Sequence, residues 1–194
     1  MSRYKALASA DDFSGGYYVW WFEHNEDELV PVTQIDAGTA QYVLEDPPLR
    51  VSIDIAGIPG PVTLSICGPF NVLGGSNGQF ALGDPVLIAD CDPIRKPLRL
   101  TFDPPVRAVG TRIAALGGKA GESFDATLYA GEADGQSQGR GVRAICEAGS
   151  AVAPFVGLRC LDGARISEAW FDTISPDGQG SFKQVAINQL YLIP

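Results

Sequence analysis

A hydrolase triad needs a histidine to carry the proton, and His24 is the only one in the chain, set inside the acidic run 23–28. No G-x-S-x-G elbow precedes a helical pattern, and neither a Walker loop nor a dinucleotide fingerprint is present. Carboxylates are abundant. Spacing along the chain does not, however, place two of them across a cleft at the separation that glycoside hydrolysis requires. Catalysis is therefore not expected. Cys67, Cys91, Cys146 and Cys160 form no C-x-x-C pair, and with a single histidine a zinc site is not expected either. Two readings of these cysteines stay open. One is the local disulfides Cys67–Cys91 and Cys146–Cys160; the other is thiols buried as small apolar groups in strands such as TLSIC.

Aromatic side chains beside polar ones are a different resource. A flat ring packs against the C–H face of a sugar, while nearby donors and acceptors take the hydroxyls. In the segment ARISEAWFD, Glu168, Trp170 and Asp172 alternate, so a strand there carries all three on one face. The run YYVWWF is denser. Alternation places Tyr18, Trp20 and Phe22 on one side and Tyr17, Val19 and Trp21 on the other. A strand apolar on both faces is usually buried on both, so this run is expected in the core.

Positioning these side chains falls to strands. The chain has 194 residues, 45% of them hydrophobic, with 23 glycines and 14 prolines spread along its length. So many breakers imply many turns and many short strands, and no segment longer than a turn or two carries a helical period. Expected strands are VPVTQI, TAQYVL, VSIDIA, VTLSIC, PVLIADC, LRLTF (turned by Asp103-Pro104-Pro105), VRAVGTRIAAL, SFDATLYAG, GVRAICEA, PFVGLRCL, ARISEAWFD and FKQVAINQLYLI. SFDATLYAG alternates cleanly: Phe124, Ala126 and Leu128 share one face, and Asp125, Thr127 and Tyr129 share the other. The region 69–83 reads as a long glycine-rich loop. Strands at this spacing without intervening helices predict an all-β, two-sheet antiparallel sandwich, with residues 1–194 as a single domain.

Charge narrows the partners. With 14 basic against 23 acidic residues the net charge is −9, which repels phosphate backbones and anionic membrane surfaces, so nucleic acid is not an expected partner. The opening MSRYKALASADDFSGG has no long apolar run, and no stretch is long enough to span a bilayer, so neither a leader nor membrane insertion is expected.

The order of motifs over about residues 98–194 resembles a family of bacterial extracellular jelly-roll β-sandwich domains. These occur in proteins with a PEP-CTERM sorting tail and are related in shape to galactose-binding-like domains. Pro105-Val106 with Ala108 and Gly110 matches the family's first element. Phe155-Val156-Gly157-Leu158 matches its FxGF strand, and Ile166, Ala169 and Phe171 match the strand after it. Ala186-Ile187-Asn188 matches the closing AIDN strand, with Asn188-Gln189 where the family has Asp-Asn. The resemblance implies a jelly-roll-like sandwich, an extracellular place and, as in similar modules, a structural calcium. Candidate ligands for that ion are Asp11, Asp12, Asp27, Asp90 and Asp92; the competing reading is of solvated loop acids. The family pattern also turns Ala169 and Phe171 inward, which leaves Glu168, Trp170 and Asp172 outward, with Tyr129 and Arg112 expected to face out from neighbouring strands. The competing reading of Trp170 is that it packs under a loop or the N-terminal segment.

Together these features predict a non-catalytic binding module, with Trp170, Glu168, Asp172, Tyr129 and Arg112 holding a saccharide. The alternative is a structural or adhesion protein of the cell surface whose sheet faces pack against other chains.

Overall fold

Alternation sets the strands of this protein, and the burial of one side chain in two along them sets the two sheets. The computed structural model describes residues 3–19, 33–36, 41–45, 48–55, 61–66, 80, 85–90, 98–116, 122–132, 141–147, 152–175, 182 and 184–194. Its strands in chain order begin with β1 (Tyr4–Leu7), β2 (Tyr17–Val19), β3 (Thr33–Asp36), β4 (Gln41–Glu45) and β5 (Pro48–Ile55). Then come β6 (Pro61–Ile66), β7 (Pro85–Asp90), β8 (Leu98–Val106), β9 (Ala108–Leu116) and β10 (Phe124–Glu132). The last are β11 (Val142–Cys146), β12 (Phe155–Cys160), β13 (Ile166–Ile174), β14 (Gln184–Ile187) and β15 (Leu190–Ile193). A short 3-10 helix, Ala10–Phe13, separates β1 from β2. Among the described residues no helix is long and apolar enough to cross a membrane.

The strands form two antiparallel sheets, as expected of a β-sandwich. One has six strands in the order β11-β10-β13-β8-β5-β4. The other has nine: β1-β12-β9-β14-β7-β6-β3, with β15 joining β9 to β2. The main core lies between them. Phe171, Leu128 and Leu98 occupy one cross-strand row and are fully buried, with Leu158, Ile113 and Leu192 supplied by the opposite sheet. A sheet with one face on a core and one towards solvent is what strict alternation encodes.

Three local expectations are corrected, and one open reading is decided. The Asp103-Pro104-Pro105 segment does not end its strand: β8 continues to Val106. Glu168 pairs with Thr101 and Ile166 with Val106, so Ser167 alone stands opposite residues 102–105. A bulge of this kind accommodates proline, which has no N–H for the ladder. The last expected strand is likewise split. Residues 188–189 leave the ladder between β14 and β15, and the buried Asn188 satisfies the gap. Its Oδ1 accepts from the Arg112 amide at 3.3 Å and the Thr111 hydroxyl at 3.4 Å. On its other edge this chain changes neighbour there, from β7 alongside β14 to β2 alongside β15.

The third correction concerns the aromatic run. Tyr17 is 40% and Tyr18 56% exposed, while Val19 is buried. The strand holding them, β2, is short and pairs only with β15 among the described residues, so nothing there covers both of its faces. Trp20, Trp21 and Phe22 lie outside the described residues. Of the two readings open for the cysteines, Cys146 and Cys160 take that of buried thiols within the main core, on β11 and β12, and not that of a Cys146–Cys160 disulfide. Cys67 and Cys91 lie outside the described residues.

The motif residues at 105–110 and 155–158 acquire a packing explanation. Phe13 of the 3-10 helix lies on the outer face of the nine-stranded sheet, edge-on to Phe155 at 5.9 Å and tilted against Tyr191 at 5.9 Å. It fits because Gly110 is beneath it: a Cβ there would stand 2.8 Å from the Phe13 ring. Leu7 closes on Gly157 in the same way, at 3.0 Å. These small residues let the N-terminal segment cover the sheet.

Candidate functional site

On the six-stranded sheet the outward residues of β13 are Glu168, Trp170 and Asp172, all half-buried, while Ala169, Phe171 and Thr173 are buried inward. The strand register then decides their neighbours. Trp170 stands opposite Tyr129 on β10 and Arg99 on β8, so tyrosine, tryptophan and arginine form one row across the sheet. Glu168 stands opposite Gly131 and Thr101, and Asp172 opposite Thr127.

Two glycines determine how the rings lie. A Cβ on Gly131 would come 2.9 Å from the Trp170 indole and 2.8 Å from Glu168 Cγ; one on Gly141 would come 2.5 Å from the Tyr129 ring. The indole therefore leans across Gly131, and the Tyr129 ring leans across Gly141. Glycine within a strand marks such close approaches. Tyr129 remains 39% exposed.

The polar groups are held too. Glu168 Oε2 accepts from Arg99 Nε at 2.8 Å and pairs with its Nη2 at 2.7 Å, which leaves Oε1 outside that pair. Asp172 Oδ1 accepts its neighbour's amide, Thr173 N, at 2.8 Å, and the Asp172 carbonyl accepts from the Thr127 hydroxyl at 3.2 Å. Further along, Asp125 is buried on this outer face and pairs with Arg143 at 2.7 Å, while its Oδ1 has no hydrogen-bond partner. The polar side of β10 is thus less solvated than its alternation implies, because the ion pair with β11 and the neighbouring β13 side chains cover it. Asp125 was placed with Tyr129 on one face of β10, whereas Arg99 and Arg143 were not singled out in the sequence. Only the strand order brings them here.

Arg112 does not belong to this row. It lies on β9 in the opposite sheet, where its Nη1 donates to the Ala153 carbonyl at 2.8 Å. The chain changes sheet at Arg107, between β8 and β9, so nearness in sequence misplaces it.

Of the acids considered for a metal, Asp11 and Asp90 lie far apart. Asp11 is exposed on the 3-10 helix near Gly110, whereas Asp90 ends β7 opposite Gln184, which itself pairs with Leu116 at the far end of β9. At about 3.4 Å per residue, Gly110 and Leu116 are on the order of 20 Å apart. Asp92 and Asp27 lie outside the described residues, among which no group of three or more potential ligands occurs.

The Asp12 carboxylate has a local partner set instead. Its Oδ2 accepts the amides of Ala8 at 2.9 Å and Ser9 at 3.1 Å. The Ala8 hydrogen bond, then that of Ser9, holds its pKa below the ordinary 3.8, with smaller help from the charges of Lys5 and Arg159 against the effect of burial. A folded-state pKa below the unfolded one contributes stability above pH 3.8 that disappears as pH falls through the lowered value. Asp12→Ala should therefore lower the urea midpoint at pH 7, with a deficit that shrinks as pH falls towards about 2. An equal deficit at both pH values would contradict this role.

What the assembled face can do is present two aromatic surfaces beside carboxylate acceptors and a guanidinium donor, on an open sheet. No family model, curated protein or solved structure matches this chain.

Proposed function

We propose that the chain is a non-catalytic module that binds carbohydrate on the outer face of its six-stranded sheet. The posture of Trp170 carries this reading. Its indole lies across Gly131 between Glu168, which Arg99 holds, and Asp172, with Tyr129 opposite it in the next strand. Sugar C–H groups pack on the rings, Glu168 Oε1 and Asp172 accept from hydroxyls, and Arg99 donates. An open row of rings suits an extended saccharide better than a small enclosed ligand, because small ligands are held in concave sites. The resemblance to jelly-roll modules of PEP-CTERM-tailed proteins supports the same reading, and with it an extracellular place.

A glycan array, run with calcium and again with a chelator, tests the proposal and shows whether a metal takes part. For any glycan bound, Trp170→Ala should weaken affinity by at least about thirtyfold, about 2 kcal/mol, with unchanged circular dichroism. Gly131→Val should do the same by displacing the indole and Glu168 without removing either. Binding that survives both substitutions would refute the site. A clean negative in both array conditions would favour the second reading, a surface or adhesion protein. The observation behind that alternative is Ile145, 56% exposed on the edge strand β11.

A further inference from the structure

Away from the Trp170 face, a groove of about 330 Å³ opens where the β8–β9 turn, the end of β15 and the turn after β12 meet. Its lining includes Ser14, Arg107, Arg159, Cys160, Gly163 and Ile193. Two arginines on one concavity are unexpected in a chain of net charge −9.

Both are held by backbone groups. The Arg107 amide donates to the Ile193 carbonyl at 2.6 Å, and its own carbonyl accepts from the Cys160 amide at 2.8 Å, so its Cα is tied to two strands. Arg159 donates from Nη2 to the Asp12 carbonyl at 3.0 Å. Among the described residues neither guanidinium forms an ion pair with a carboxylate; the ion pairs there use Arg99 and Arg143. The Asp12 carboxylate, held by the amides of Ala8 and Ser9, is near enough to feel the Arg159 charge but forms no ion pair with it. Lys5 stands opposite Arg159 in the β1–β12 ladder, outside the groove's lining.

Two like charges lining one concavity repel, and a guanidinium is a planar fork that grips oxyanions through paired N–H groups. We propose that this groove binds a small oxyanion, the chemistry shared by free sulfate or phosphate and by the carboxylate of an acidic sugar. The proposal is independent of the Trp170 site, which lies on the other sheet.

The test titrates the intact protein with sodium sulfate and, separately, sodium glucuronate. Ionic strength is held constant with chloride, and the arginine Nε–Hε resonances are followed by NMR. Saturable shifts of the Arg107 and Arg159 signals are expected, weakened at least tenfold in Arg107→Gln, whose structural hydrogen bonds come from the backbone and persist. Arg159→Lys keeps the charge but loses the fork; it should weaken binding severalfold with an unchanged thermal midpoint. Tighter binding of sulfate would identify a free oxyanion, and tighter binding of glucuronate an acidic sugar; either supports the proposal. Absence of saturation with both anions, or undiminished binding in Arg107→Gln, would overturn it.

Discussion

Truncation of Phe171 to alanine should lower the unfolding free energy by about 3–5 kcal/mol, the range for removing a fully enclosed phenylalanine. The ring is completely buried in the row Leu128–Phe171–Leu98 at the centre of the six-stranded sheet. Strands on both sides hold the neighbouring side chains in register, so the cavity cannot collapse readily. For a chain of 194 residues the melting temperature should fall by on the order of 10 °C. The neighbouring Trp170, on the opposite face of the same strand, provides the internal contrast. Its truncation should lower the urea midpoint far less than that of Phe171 while weakening ligand binding. Similar stability losses for both variants would mean that the outer face is covered, and the platform reading would fail with it.

Gly110→Val should destabilise by about 3 kcal/mol, because it adds atoms where none fit. The first of them would stand 2.8 Å from the Phe13 ring and 2.9 Å from that of Phe155. The sheet backbone is fixed by ladders to β12 on one side and to β14 and β15 on the other, so the Phe13 ring must move and lose its burial. The pair Gly110→Val with Phe13→Ala gives the diagnostic. Removing the ring should relieve the clash, so the double variant should be at least about 1 kcal/mol more stable than the sum of the single losses predicts. Additive losses would show that valine is excluded for another reason. Urea denaturation of the four proteins measures this directly.

The two substitutions also separate what was legible in the chain from what was not. Phe171 could be placed on the face opposite Glu168, Trp170 and Asp172 from the alternation of ARISEAWFD, and that face lies inward. Gly110 could be recognised as part of a motif, but its reason is Phe13, which comes from a helix almost a hundred positions earlier in the chain. No local pattern encodes that contact.

The same division holds across the candidate site. Side-chain direction along a strand is a property of the chain itself, since period two follows from backbone geometry. Hence the all-β class, most strand positions and the shared face of Glu168, Trp170 and Asp172 were accessible from residues alone. Which strands become neighbours is not local. Tertiary structure placed Arg99 against Glu168 and laid Trp170 over Gly131, and it sent Arg112 to the other sheet. It also left Tyr17 and Tyr18 exposed on a strand that, among the described residues, pairs only with β15, where the reading of an aromatic run apolar on both faces had assumed cover on both sides. The sequence by itself determined which way each side chain points along its strand. Only the packing of one sheet on the other, and the order of strands within each, decided what those side chains meet.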